Sequence, residues 1–246
     1  MSDRPRPASF RTHLAPLNID FDFIDGPASS TPAPGVDLFY DPPYYSFWEQ
    51  TSSENIQTAR KWLLDYMARS GPYDAVMGFS QGCALAASVL LLHAAETPLL
   101  PPPFKAAIFI CGGAPLSIPE SLGYTIHHAA KERDDQSRVA LASQADSASI
   151  LAQGSDRWTG SQSGGLSEDE LRAEIQGSLK IGVPTVHIYG EKDPRYPAGV
   201  QLSALCEEGR RKTYNHEGGH EIPRKDVISR KVAWLVRWAV EEAELY

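Results

Sequence analysis

The chain is poor in cysteine: Cys83, Cys111 and Cys206 are the only three in 246 residues, and they form neither a C-x-x-C pair nor a disulfide framework. Long apolar runs are missing too. The longest, Cys83 to Leu92, is broken by Ser88 and falls well short of the roughly 18 residues a membrane span requires. The opening M-S-D-R-P-R-P-A-S-F-R lacks the apolar core of a signal peptide. Positive charge is not in excess, with 23 Lys+Arg against 31 Asp+Glu and a formal charge of −8, which argues against a nucleic-acid binder. What remains is ordinary for a globular protein with a substantial core, at 42% hydrophobic and 22% charged residues. The expectation is a soluble, cytoplasmic chain folded as one domain over residues 1–246.

Apolar strand patterns alternate with helical ones, which points to an α/β fold with a mostly parallel sheet covered by helices on both faces. Ile19 to Ile24 reads as a short strand stopped by Asp25-Gly26-Pro27, and residues 26–46 as a long Pro-, Ser- and Tyr-rich loop. Thr51 and Glu54 have the spacing of a capping box opening a helix that carries Ile56, Ala59, Leu63, Tyr66 and Met67 on one face. Strands follow at Tyr73–Met77, Phe104–Ile110, Val183–Tyr189 and Lys212–Tyr214, with helices running to about His93 and over Val200–Glu208. A last helix carries Ile228, Val232, Leu235, Val236 and Ala239 on one face. Between Ala114 and Ile181 the pattern changes to Ser, Asp, Ala and Gly, with a capped helix opening at Ser167; residues 114–181 read as an insertion or lid over a site.

Gly78-Phe79-Ser80-Gln81-Gly82 matches G-x-S-x-G. The bare pattern is weak, but an apolar strand runs into it and an Ala- and Leu-rich helix runs out, the strand-turn-helix that a nucleophile elbow needs. A serine at its ordinary pKa requires a base, and the base an orienting acid, in the chain order Ser, Asp/Glu, His for α/β-hydrolases. Asp193, in Gly190-Glu191-Lys192-Asp193-Pro194, lies just past a strand end, with Glu191 as its rival. His220 follows the next strand in a glycine-rich loop. His13, His93, His127 and His128 fall outside that order, His187 reads as a packed strand residue, and His216 competes with His220. The backbone N–H of Gln81, at the start of the helix, is the expected oxyanion donor. Cys83, one turn into the same helix, reads as packing, and the aromatic run Pro43 to Trp48 as either core or the lining of an acyl pocket.

His216-Glu217-Gly218-Gly219-His220 also spells H-E-x-x-H. That zinc signature works only on a helix, where positions i and i+4 share a face. Two adjacent glycines would cost such a helix about 2 kcal/mol relative to alanine, so a loop is expected instead.

With those residues placed, the chain resembles the fungal family of small serine hydrolases with an α/β-hydrolase fold, relatives of yeast serine hydrolases and of polyketide-releasing thioesterases such as that of lovastatin biosynthesis. The resemblance runs through Phe23-Ile24-Asp25-Gly26-Pro27, Gly71-Pro72-Tyr73-Asp74 with Gly78-Phe79-Ser80-Gln81-Gly82, Gly190-Glu191-Lys192-Asp193 and Gly218-Gly219-His220-Glu221-Ile222-Pro223. It implies Ser80 as nucleophile, Asp193 as acid and His220 as base. It also implies an ester or thioester substrate, the acyl group borne on an acyl carrier protein or coenzyme A, and a place in secondary metabolism. The chemistry calls for no metal and no organic cofactor. The sequence departs from the family at its start. Family members open with a strand ending in His-Gly whose following loop completes the oxyanion hole, and Met1 to Leu17 contains no such strand, while Phe10 to Leu17 resembles the helix that normally follows it. Two functions are therefore open: an acyl-enzyme hydrolase, or a pseudo-hydrolase that binds an acyl ligand or a partner without turnover. Two arrangements are expected at the gap: the strands near residues 19 and 73 pair directly, or another segment or chain fills it.

Overall fold

A computed structural model of the chain describes residues 9–33, 35–160 and 163–244. In chain order its elements are α1 (Ser9–Leu14), β1 (Ala28–Ser30), β2 (Tyr44–Ser46), α2 (Ser53–Ser70), β3 (Ala75–Phe79), α3 (Gln81–Glu96) and β4 (Ala106–Ile110). These are followed by α4 (Ser117–Ser121), β5 (Thr125–Ile126), α5 (His128–Gln144), α6 (Ser147–Gln153), α7 (Glu168–Ala173) and β6 (Ile175–Gln176). The chain closes with β7 (Thr185–Tyr189), α8 (Tyr196–Ala204), β8 (Arg211–Asn215) and α9 (Asp226–Glu244).

The central sheet has the order β3-β4-β7-β8, with every pair parallel. β4, wholly apolar, and β7, which takes Thr185 and His187 inside with it, are both buried along their whole lengths, as strands covered by helices on both faces are. Helices α2 and α3 pack on one face, where Ile56, Leu63, Leu85 and Val89 join Phe109. Helices α1 and α9 take the other, where Phe10, Leu14, Val232, Leu235 and Val236 meet Ile108, Val186 and Ile188. Each buried Leu, Ile or Val of these faces contributes about 1.5–3 kcal/mol relative to exposure. The mostly parallel α/β expectation holds.

Several expectations need correction. Residues 19–26 form no strand. Ile19 and Phe21 pack with the α1/α9 core and Ile24 with the α2/α3 core, so the segment crosses from one face of the sheet to the other past β3. Its anchor is side-chain chemistry: the Asp22 carboxylate accepts from the hydroxyls of Tyr66 and Tyr73. The direct pairing expected with the strand at residue 73 is not made, and among the described residues β3 is an edge strand of the central sheet. The opening residues 1–8, part of the stretch expected to lack the family's strand, lie outside the described residues. The cap of α2 is Ser52, whose hydroxyl accepts from Asn55 N–H, because Thr51 is engaged by Trp48 Nε1–H. β3 and α8 are displaced from the expected spans, β3 toward its C-terminal end and α8 toward its N-terminal end.

Residues 114–181 contain more regular structure than their composition suggests. α5 runs for 17 residues although only Ala130 and Ser137 are buried, too sparse a stripe to read as helical periodicity. The capping box at Ser167 is formed as expected, with Ser167 and Glu170 satisfying each other's backbone N–H groups. Among the described residues no helix is long and apolar enough to cross a membrane.

Candidate active site

β3 delivers Ser80 onto a sharp turn and α3 begins at the next residue. Ser80 has φ 52° and ψ −113°, a sparsely populated conformation for a residue with a side chain, and it persists because the strand before it and the helix after it fix both ends. Ser80 N–H donates to Ile110 O and Ser80 O accepts from Cys83 N–H, which lock the turn to β4 and to the first turn of α3. Gly78 is sterically required: a Cβ there would lie 2.6 Å from Cys83 N and from Gly82 C. As the first residue of α3, Gln81 presents a backbone N–H with no intrahelical acceptor, at the positive end of the helix dipole.

The loops after β7 and β8 bring the other two expected residues to this point. Asp193 is fully buried; its Oδ1 accepts from Arg195 N–H at 2.7 Å and its Oδ2 lies 2.8 Å from His220 Nδ1. His220 Nε2 lies 3.0 Å from Ser80 Oγ. A proton on Nδ1 directed at the carboxylate leaves Nε2 as the acceptor for the serine O–H. Ser80, His220 and Asp193 thus form one continuous hydrogen-bonded line from separate strand ends. Glu191, the rival acid, is exposed and faces Asn215 instead.

His216 does not compete for the serine. Its ring is buried, with Nε2 3.7 Å from Cys111 Sγ. Burial lowers its pKa, against the pull of Asp193. The H-E-x-x-H stretch is a loop, and its two histidines face different partners. Among the described residues, Cys111 Sγ, an Asp193 carboxylate oxygen and a His220 ring nitrogen lie within 4.8 Å of one another, a set with metal-ligand chemistry. Asp193 Oδ2 and His220 Nδ1 are hydrogen-bonded to each other. Cys83 is a core residue: its thiol is shared between Gly78 O and Ile110 O, and burial pushes its pKa up to about 12. His187 is likewise packed inside β7, its pKa brought down to about 3 by burial.

Sequence reasoning did not find four neighbours of the site: Trp158, Phe79, Arg195 and Cys111. Trp158, from the insertion, is buried against His220 at 6.4 Å between ring centroids, and Phe79 approaches the same imidazole at 5.1 Å. Gly219 makes room for the indole: a Cβ there would fall 2.0 Å from Trp158 Cγ. Arg195 and Cys111 back the acid and the base. No local motif marks Trp158, Arg195 or Cys111, whose partners His220, Asp134 and His216 lie far off in sequence, and the elbow motif that contains Phe79 does not show that its ring meets His220.

A cavity of about 910 Å³ opens beside Gln81, lined by Val36, Tyr44, Tyr45, Trp48 and other residues of the Pro- and Tyr-rich loop. The Gln81 side chain fastens that loop to the elbow, accepting from Phe47 N–H at 3.0 Å and donating to Trp48 O at 2.8 Å.

The protein is similar in sequence to fungal esterases. It is 31% identical over 209 residues to esterase FPY3 of Fusarium mangiferae, spanning 84% of this chain and 75% of that protein. It is 26% identical over 252 residues to esterase alnB of Emericella nidulans, spanning 92% and 87% respectively. Among solved structures, MenH from S. aureus is similar at a TM-score of 0.42 and 14% identity over 80% of each chain. The family profile described as serine hydrolase (FSH1) matches residues 6–232, which takes in the elbow and both loops facing it, and the chain belongs to that family.

Proposed function

We propose that the protein hydrolyses a carboxylic ester or thioester through an acyl-enzyme on Ser80. The observation that carries this reading is the Ser80–His220–Asp193 line, at 3.0 and 2.8 Å. His220 Nε2 accepts the Ser80 proton as Oγ attacks the acyl carbon, and Asp193 orients the ring and stabilises the imidazolium. The Gln81 N–H donates to the tetrahedral oxyanion. His220 then returns its proton to the leaving alcohol or thiol, and in the second half-reaction it activates water to release the acid. A binding-only protein has no need of three side chains held in donor–acceptor register, so the arrangement supports turnover.

The cavity beside Gln81 supports an acyl chain lying against Tyr44, Tyr45 and Trp48. Residues 114–181 serve as the lid, with Trp158 covering the base. The acyl group arrives as a small ester, or as a thioester of coenzyme A or an acyl carrier protein; thioesters of these carriers would place the protein in the cytoplasm.

Exposure to a fluorophosphonate followed by intact-mass analysis tests the reading, with one adduct expected on Ser80. A panel of p-nitrophenyl esters and acyl thioesters, free and carrier-borne, then ranks the leaving groups. A chain that neither labels at Ser80 nor turns over any member of the panel would overturn it.

A further inference from the structure

Cys111 stands directly after β4 with φ 49°, a left-handed conformation that a glycine would adopt without strain, and two glycines follow it. A side chain kept at such a position invites a search for what it contacts. The thiol lies 3.5 Å from Glu221 O and 3.8 Å from Gly219 O, the two carbonyls that flank His220 in the chain. His216 Nε2 is 3.7 Å from the same sulfur. On its other side, His216 Nδ1 accepts from Gly218 N–H at 3.3 Å.

These contacts fix the protons. A neutral imidazole has one donor and one acceptor nitrogen, so Nδ1, which accepts, leaves the proton on Nε2. Nε2–H therefore donates to Cys111 Sγ, and the thiol proton faces the two carbonyls, with an Asp193 carboxylate oxygen also within 4.8 Å of the sulfur. The result is a closed sequence: Gly218 N–H to His216, His216 to Cys111, Cys111 to Glu221 O and Gly219 O. It begins and ends on the backbone on either side of His220. Both side chains are buried.

We infer that Cys111 and His216 are positioning residues, a brace that holds the 218–221 loop so that His220 meets Ser80 and Asp193 together. This inference rests on the proposed role of His220 as base. A small displacement of a reacting group costs rate far more than it costs fold stability, with losses of up to about 10²-fold for 1 Å. Removing the thiol is therefore expected to lower kcat for p-nitrophenyl acetate and butyrate on the order of 10-fold, with KM unchanged within about twofold.

The test compares Cys111→Ala, Cys111→Gly and Cys111→Ser with Cys206→Ala, a control that empties a buried cysteine site remote from the triad. Cys111→Gly relieves the backbone strain, which keeps a folded variant available. Serine can both accept from His216 and donate to Glu221 O, so Cys111→Ser should recover part of kcat. The low-field proton resonance of His220 Nδ1–H, read by NMR without substrate, should shift or broaden in Cys111→Ala and stay in place in Cys206→Ala. An unchanged resonance and kcat in Cys111→Ala, or an equal kcat loss in Cys206→Ala, overturns the brace. If the unsubstituted chain neither labels at Ser80 nor turns over ester, the acyl-enzyme reading fails instead, and the resonance still decides whether Cys111 orients His220.

Discussion

Arg195 leaves the loop that carries Asp193 and pairs with Asp134 of α5, Nη1 to Oδ1 at 2.6 Å, with both side chains almost out of solvent. The same Nη1 donates to Ser137 Oγ and Asp134 O. Burial pulls the guanidinium's pKa down while Asp134 holds it up. Because Arg195 N–H also donates to Asp193 Oδ1, the insertion is tied to the acid through one residue.

Breaking that pair leaves a buried cation without its hydrogen-bonded counter-charge. Asp134→Ala should destabilise the protein by about 3–5 kcal/mol and lower kcat with it. Arg138→Ala, which removes an exposed partner of the same aspartate, should cost under about 1 kcal/mol. Urea unfolding of the two variants checks the ranking.

Ser80→Ala and His220→Ala should each reduce ester hydrolysis by about 10⁴-fold or more, and the double variant should lose little beyond either alone, because the pair acts as a unit. Additive losses, measured by single-turnover kinetics, would argue for separate roles.

Asp193→Asn should keep the fold and lower kcat by about 10⁴-fold, since an amide no longer fixes the imidazole's protonation. Glu191→Gln should be close to neutral, because Glu191 faces Asn215 at the surface. Circular dichroism with kcat for each variant gives the ranking.

Gln81→Ala keeps the backbone N–H but releases the 47–48 loop, losing two hydrogen bonds of about 0.5–1.5 kcal/mol each. KM should rise more than kcat falls, and preference across a chain-length series of p-nitrophenyl esters should broaden.

His187 gives a pH signature of stability. Its pKa is brought down to about 3 by burial, while the unfolded chain titrates near the ordinary value of 6.5. The folded state thus binds fewer protons between those limits, so stability present above about pH 6.5 is lost as pH falls toward 3, by several kcal/mol in all. His187→Leu should flatten that limb of a stability–pH profile measured by urea unfolding.

Local chemistry was readable along the chain wherever neighbours in sequence are neighbours in space. Gly78-Phe79-Ser80-Gln81-Gly82 announced its own turn, because the steric demand at Gly78 and the strand and helix on either side are all encoded within a few residues. The order Ser80, Asp193, His220 followed from strand ends, which period-2 and period-3.6 patterns mark. The same patterns misread Ile19–Ile24: its alternation is that of a strand, yet two tyrosine hydroxyls on Asp22 anchor it and no ladder forms. They also missed α5, whose stability comes from contacts such as Asp134 with Arg195 rather than from an apolar stripe of its own. Sequence left His216 and His220 as rivals. Tertiary structure separated them, since only packing turns one ring to Ser80 and the other to Cys111. Cys111, Trp158 and Arg195 show the general reason: their effect depends on distances between segments far apart in the chain, and such distances are set by how the cores close, not by any residue's neighbours in sequence.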